Sequence, residues 1–358
     1  MIRSNSNLAG AHIVHQQGVV GTGILAALMV VVFVAAIAIK QSWRSDIDLK
    51  QAGHRWQGIQ ANAYIQGAET LARIALKKDA EADRAPIDTL DEEWAQPFDF
   101  PTDHGFMQIR ISDAQSKLNL NALAQPYAKN ANGVPLSGAA KYSALQRQFL
   151  RLLQLLPFDD DGTLVTLAQA EEILDAIIDW LDSDVTVTGF GGAEENYYNQ
   201  LELPYTISNG PMVSISELAR VKGVTRVLYT ALRPYVSALG DADSVNAHTM
   251  SLALVQAINY DNDLSPIEAL RAEAILEAVR SSSAEDTAAL NDAFELSGLA
   301  AGNAENDPQP DTRHLVFASS WFEMDSTVSV GDTVKRYRSR LHRTDGTVVV
   351  ERRSDANF

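Results

Sequence analysis

The stretch HQQGVVGTGILAALMVVVFVAAIAIK, residues 15–40, decides how the chain is to be read. After Gly18 an uncharged run extends from Val19 to Ile39, and Lys40 ends it. Twenty-one residues at a rise of about 1.5 Å each make a helix of roughly 31 Å, close to the roughly 30 Å hydrocarbon thickness of a bilayer. A cleaved secretory signal has a shorter apolar core, about 7 to 15 residues, and a small-residue cleavage site, for which Ala36-Ile37-Ala38 is the candidate. The residues after Lys40 speak against a cleaved signal. No Pro occurs between Lys40 and Lys78, and helix formers continue through QANAYIQGAETLARIALKK, residues 60–78. Ala61, Ile65, Ala68, Ala72 and Ala75, with Leu71 and Leu76, keep helical spacing. The membrane segment is therefore expected to run into an amphipathic helix, together about 60 residues and roughly 90 Å long.

At 358 residues the chain has room for two or three cores. It carries 29 basic and 46 acidic residues, a net charge of −17. That balance is unfavourable for gripping nucleic acid, whose backbone is held by Lys and Arg displacing counterions. It suits divalent cations. There is no Cys, which excludes disulfides, thiolate metal sites and Cys nucleophiles. The histidines (His12, His15, His54, His104, His248, His314 and His342) are scattered and form no HExxH. No GxSxG or Walker-type loop occurs either, so no catalytic centre is expected. His248 in SVNAHTM reads as a polar residue at the start of a helix.

An acidic, irregular link, DAEADRAPIDTLDEEWAQP, comes after Lys78. GFMQIRIS, residues 105–112, alternates as a strand, with Met107, Ile109 and Ile111 on one face. From about 140 to 300 the pattern is mainly helical. Strands return in RHLVFASSW, STVSV, TVKRYRSRLH and TVVVERR, with Asp345-Gly346 as the hairpin turn between the last two. Strand, helical block, strands again predicts an α+β sheet interrupted by a large helical insertion.

The chemistry-bearing stretch is ILDAIIDWLDSDVTVTGFGGAEENYYNQ, residues 173–200. Ile173, Leu174, Ile177, Ile178 and Leu181 form the buried stripe of a helix, and Asp175, Asp179 and Asp182 lie on a different face. Asp184, a Gly-rich turn and Glu194-Glu195-Asn196 lie beyond. Oxygen ligands from a helix end and a flexible loop are what Ca²⁺ accepts, at six to eight coordination; the plain alternative is an acidic surface loop. Asp159-Asp160-Asp161-Gly162 reads as a turn.

In SISELARVKGVTRVLYTALRPYV, Ser214 and Glu217 make a capping box, and Val221-Lys222-Gly223-Val224 joins two short helices. In LSPIEALRAEAILEAVR, Ser265, Pro266 and Glu268 fit N-cap, N1 and N3 of another helix. Such paired helices resemble helix–hairpin–helix modules, many of which bind DNA phosphate. A membrane-anchored helix–hairpin–helix DNA-binding protein of a DNA-uptake pilus is thus the alternative class. Arg220, Lys222 and Arg226 are few for that task in an acidic chain. The C-terminal strands carry Lys335, Arg336, Arg338, Arg340, Arg343, Arg352 and Arg353. These are expected to charge edge strands against aggregation, or to form a partner surface.

A short polar leader ending in Gly18, then an apolar helix running into an amphipathic one, resembles the type IV pilin and pseudopilin class. The resemblance implies that a prepilin peptidase cuts after Gly18 and methylates Val19. His15, Gln16 and Gln17 stand where a basic residue often precedes the cut, and Gly23 stands where most such subunits carry Glu. That Glu pairs with a neighbour's buried amine, and an unpaired buried charge costs several kcal/mol. A subunit without it is tolerated where no amine lies above, at a filament's end. Five runs in order extend the likeness: DAQSKLNLNALAQP (113–126), ILDAIIDWLDSD (173–184), GGAEENYY (191–198), NGPMVSISELARVKGVTRVLYTALRPYVSAL (209–239) and SVNAHTMSLALVQAI (244–258). With the Glu-less anchor they resemble minor pseudopilin K of the type II secretion system, with Ser116 in place of a common Gly.

That family implies a pilin-like α+β fold with a long N-terminal transmembrane helix, an antiparallel sheet and a large inserted α-helical domain of SAM-like, helix–hairpin–helix type. Mapped onto this chain, residues 1–18 are the leader, 19–39 the transmembrane part of the helix and 40–78 its periplasmic part. Residues 79–116 and 308–358 make the head, 117–240 the first inserted helical domain with its acidic loop, and 241–307 the second. The resemblance implies a subunit that caps the pseudopilus tip, promotes its assembly and serves export of folded proteins. Its partners would be minor pseudopilins of I, J and H type, the major pseudopilin, the prepilin peptidase and the inner-membrane secretion assembly, with no nucleic acid. It also implies calcium in the helical domain, for which Asp182, Asp184, Glu194, Glu195 and Asn196 are the matched candidates. Lys40, Arg44, Lys50 and Arg55 come after the span, while Arg3 precedes it; the positive-inside bias alone would put the bulk of the chain in the cytoplasm, whereas the family puts it in the periplasm.

Overall fold

Helix α1 (Val14–Ala82) is continuous, so Gly18 and Val19 lie within helical backbone that starts before the expected cut. The computed structural model describes residues 14–82, 87–281, 287–299, 307–344 and 346–355. The chain divides into two units, residues 1–63 with 329–334, and residues 64–328 with 335–358. In the first, the apolar run stays uncovered: Leu25 is 65% exposed, Met29 76% and Phe33 67%. Among the described residues this is the one helix long and apolar enough to cross a membrane.

The second unit holds the insertion and the sheet, apart from residues 329–334 at the turn between its third and fourth strands. Strand β1 (Phe98–Thr102) pairs antiparallel with β2 (Gly105–Asp113), Phe98 facing Ile109. Alternation gives no sign of β1 because Pro101 interrupts it, and an edge strand is where a sheet tolerates Pro. Along β2, Met107, Ile109 and Ile111 are buried on the expected face.

The insertion begins at Asp113, whose carboxylate accepts from Gln115 N at 2.7 Å and caps a short 3-10 turn. Its elements are β3 (Leu118–Asn119), α2 (Ala144–Leu153), α3 (Leu167–Leu181), α4 (Glu195–Tyr198), α5 (Arg226–Leu232), β4 (Val236–Ser237), β5 (Val245–Asn246), α6 (Leu252–Gln256), α7 (Ala269–Ser281), α8 (Thr287–Leu296) and β6 (Leu315–Val316). Two short parallel pairs clasp it, β3 with β4 and β5 with β6. Asn119 Nδ2 donates to Ala242 O at 2.7 Å, and its Oδ1 accepts from Leu239 N at 2.9 Å. One continuous core runs from Leu118 through Phe149, Ile177, Leu228 and Ile275 to Leu315. Inside it, buried Asp311 accepts from Arg147 Nε at 2.6 Å and from Arg151 Nη1 at 3.3 Å.

Helix α7 starts at Ala269, three residues past the start expected from Ser265 and Pro266. Ile267 N donates to Gln256 O at 2.8 Å, which holds that segment extended, and the Glu268 carbonyl takes the first helical bond, from Ala272 N. The expected strand over 313–321 is also cut short, to β6.

Strands β7 (Trp321–Val330), β8 (Thr333–Thr344) and β9 (Thr347–Asp355) complete a five-stranded sheet of order β1-β2-β7-β8-β9. The whole insertion thus lies between two neighbouring strands, β2 and β7. Asp345 of the expected turn is outside the described residues; Thr344 faces Thr347, and Gly346 takes the left-handed φ of 74° that favours glycine. From Tyr64 onward α1 lays Ile65, Ala68, Ala72 and Leu76 into the core, whereas Leu71 stays 39% exposed, off the expected stripe. Arg338, Arg343 and Arg353 are ties, where charged edge guards were expected. β8 is an inner strand, Arg338 pairs with Asp325 at 2.8 Å, Arg343 with Asp79 at 3.2 Å and with Asp88, and Arg353 with Glu69 on α1. Burial pushes the Glu69 carboxyl up, but Arg353 and Ser339 outweigh it and hold it below its ordinary value.

Candidate metal centre

Helix α3 is started by a capping box, Thr166 with Gln169, and its apolar stripe packs as expected, Ile173, Leu174 and Ile177 being at most 1% exposed. The second face is covered too. Asp179 is fully buried and Asp175 nearly so, because the loop after the helix folds back onto them. Asp175 Oδ2 accepts from Phe190 N at 3.1 Å and Gly191 N at 3.0 Å, its Oδ1 accepts from Tyr127 OH, and Asp179 Oδ1 accepts from Thr188 N at 2.9 Å. Glycine permits this approach: a Cβ on Gly192 would lie 2.4 Å from Asp179 Oδ2, and Gly189 has a φ of 57°.

Asp182 ends the helix, its N donating to Ile178 O at 2.9 Å. Its Oδ1 accepts from Asp184 N at 3.2 Å, and Asp184 Oδ1 accepts from Thr186 N at 2.6 Å. Glu194, preceding α4, turns back toward them. Oxygens of Asp182, Asp184 and Glu194 lie within 4.8 Å of one another. Of the five sequence candidates these three converge. Glu195 and Asn196 sit exposed on α4, where Glu195 Oε1 accepts from Asn199 Nδ2 at 3.3 Å.

The electrostatics of the cluster call for a cation. Glu194 is 4% exposed, and neither of its carboxylate oxygens has a hydrogen-bond partner; Asp179 Oδ2 is likewise buried and unpartnered. Burial, then the charges of Asp179, Asp182 and Asp184, push the Glu194 carboxyl up to about 7. Burial also raises Asp182 and Asp179. A buried carboxylate without a partner costs several kcal/mol, and a hard divalent ion taking oxygen ligands would remove that penalty for Glu194 and Asp179. The donor set therefore fits Ca²⁺, for which Asp182, Asp184 and Glu194 would supply the carboxylate oxygens. Asp179 was legible only as the residue three before Asp182.

A second acidic group, Asp79, Asp88 and Glu92, gathers in the head. Asp79 and Asp88 are engaged by Arg343, and Glu92 accepts from Trp94 Nε1. The Asp159–Gly162 turn is as expected, Gly162 N donating to Asp159 O at 3.1 Å.

The helix–turn–helix beside the loop has a different task from the one a DNA module would need. Ser214 and Glu217 form their capping box on the 3-10 helix Ile215–Arg220, and Gly223 takes a φ of 83°. The Lys222 ammonium donates to Gly191 O at 2.9 Å and Gly192 O at 3.3 Å, while Lys222 N donates to Tyr198 OH at 3.2 Å. The cation at the centre of a would-be phosphate site is spent holding the acidic loop.

Residues 116–241 match the family model described as type II secretion system protein K. The chain is 34% identical over 246 residues to the type II secretion system protein K of Aeromonas hydrophila, an alignment spanning 67% of this chain and 71% of that one. It is 31% identical over 344 residues to the protein of that description from Pectobacterium carotovorum subsp. carotovorum, spanning 94% and 97%. In fold it is similar to a chain of the solved GspK-GspI-GspJ complex from the type 2 secretion system of enterotoxigenic Escherichia coli. There the TM-score is 0.62 at 22% identity, over 86% of this chain and 100% of that one.

Proposed function

Since the chain belongs to the type II secretion system protein K family, we propose that it is the minor pseudopilin that caps the tip of the pseudopilus and promotes its assembly for export of folded proteins. One observation carries the reading: residues 114–320, more than half of the chain, are inserted between two adjacent strands of the sheet. A head of that bulk cannot repeat along a filament built by close packing of apolar helices, so its place is where nothing stacks above it. Gly23 supports the same position, since no carboxylate is offered to the amine of a subunit above.

In this reading the leader is removed after Gly18 and Val19 becomes the methylated N-terminus. The apolar part of α1 anchors the chain once in the inner membrane, and the bulk lies in the periplasm. Its partners are minor pseudopilins of I, J and H type, the complex of the similar solved chain being the support for the first two. Calcium at Asp182, Asp184 and Glu194 fixes the loop of the inserted domain, and no step of catalysis enters.

The experiment is N-terminal sequencing of the membrane-purified protein, with immunogold labelling of pseudopili grown by overproducing the major subunit. A methylated Val19 and label at one filament end are expected. A chain beginning at Met1 or Ile39 would sink the pseudopilin maturation, and label along the filament would sink the tip position.

A further inference from the structure

One cleft reverses the acidity of the protein. It lies between the insertion and the sheet, has a volume of about 320 Å³, and is lined by Lys117, Arg233, Arg338, Arg340 and Arg352, with Glu323 as the acidic lining residue. Ser339 and Arg353 reach Glu69 on α1, so by strand alternation their neighbours Arg338, Arg340 and Arg352 look out from the opposite face. Three carboxylates answer these five cations: Glu323 on Lys117 at 3.7 Å, Asp325 on Arg338 at 2.8 Å and Glu351 on Arg340 at 3.8 Å. Two positive charges are left over.

A further observation points to an occupant. Arg340 and Arg352 are direct cross-strand partners, and like charges facing each other destabilise a sheet; Arg352 Nη1 donates to the Val213 carbonyl, which leaves its charge unanswered. A bound carboxylate would offset that repulsion, since guanidinium groups take carboxylates in paired, charge-assisted hydrogen bonds. The walls bear Val213, Ile215 and Tyr229, and the volume falls in the range of organic ligand pockets. The occupant therefore carries aliphatic carbon beside its charge. On a molecule of net charge −17, such an island also steers acidic partners to one spot.

The geometry points to this cleft as a recognition site for an acidic peptide segment of a protein partner, two of whose carboxylates engage Arg340, Arg352 and Arg233. The test uses the full chain in detergent and the fluorescein-labelled peptide Glu-Val-Asp-Val-Glu, followed by fluorescence anisotropy. The acidic peptide is expected to bind, its amide twin Gln-Val-Asn-Val-Gln to bind at least about tenfold more weakly, and Arg352→Gln and Arg233→Gln each to lose about tenfold in affinity. Arg233 is exposed, so its variant keeps the melting temperature of the parent and reads binding alone. Equal binding of the amide twin, or unchanged affinity in both variants, overturns the proposal. Inorganic phosphate binding as tightly as the peptide overturns it in favour of a site for free small anions.

Discussion

The Lys222 ammonium sits 2.9 Å from the Gly191 carbonyl oxygen, so the turn between two helices clamps the acidic loop that wraps α3. Gly191 itself leaves no room for a side chain, since a Cβ there would lie 2.2 Å from Glu172 Cα. Lys222→Met keeps the aliphatic stem and removes the clamp. A charge-assisted hydrogen bond is worth about 1.5–3 kcal/mol, so the variant is expected to bind Ca²⁺ roughly tenfold more weakly by calorimetric titration. Unaltered affinity would show that the loop holds its shape without the turn.

Glu194 gives the site a pH signature. Its carboxyl is raised to about 7 from an ordinary 4.5, so the metal-free fold binds that proton more tightly than the unfolded chain does. The stability it confers is complete below about pH 4.5 and is lost as pH rises through about 7, by about 2–3 kcal/mol. Calcium needs the ionised form, so binding below pH 7 releases a proton and weakens as pH falls. The calcium-induced rise in Tm is expected to grow between pH 6 and 8. Glu194→Gln should raise metal-free stability at pH 8 and abolish the calcium increment; a Tm increment that survives in this variant would falsify the ligand assignment.

An ion pair joins the helix of the head to its last strand. Glu69, 6% exposed, receives both Nε and Nη2 of Arg353 and the hydroxyl of Ser339, the last at 2.6 Å. Its pKa is lowered, so this contribution is present above the ordinary carboxylate range and is lost as pH falls through and below it. Arg353→Ala strands a buried carboxylate and is expected to cost about 2–3 kcal/mol at pH 7, by urea unfolding, with a smaller difference at pH 3. An equal loss at both pH values would show that packing of the arginine stem, not its charge, is what matters.

The parts of this fold legible in sequence are those encoded by near neighbours. Ile65, Ala68 and Ala72 announce the buried face of α1 by three- and four-residue spacing, and Met107, Ile109 and Ile111 announce β2 by alternation. The capping box of Ser214 and Glu217 could be read from four residues. What could not be read depends on residues brought together from far apart. Arg338 and Arg353 look like edge guards until Asp325 and Glu69 are beside them. Ser265 and Pro266 carry a helix-start pattern, but the bond from Ile267 to Gln256 overrides it. Asp179 is counted on an outer face of α3 until a loop with three glycines covers that face. At the acidic cluster Asp182, Asp184 and the loop were legible as neighbours, whereas the convergence of Glu194, and not Glu195, on Asp182 is a matter of backbone path.

Asp311 shows how far such a distant contact can matter. It arrives from the end of the insertion to sit fully buried between Arg147 and Arg151 on α2, which are separated from it by more than 150 residues. Beside it His314 is pushed down to about 4 by burial, so it is neutral at pH 7 and adds no third positive charge. Asp311→Ala therefore leaves two buried guanidinium groups facing each other, and breaking a buried pair from one side costs about 3–5 kcal/mol. The expected loss by urea unfolding is of that size, larger than for any surface arginine of the C-terminal strands. Replacing all three residues with apolar ones, Arg147→Met, Arg151→Leu and Asp311→Leu, removes the charges together with their desolvation penalty and is expected to restore most of the lost stability. Were the triple variant to unfold as readily as Asp311→Ala, the bonds from Arg151 to the Asp263 and Tyr260 carbonyls, at 2.7–2.9 Å, would be the ones that hold the end of the insertion to α2.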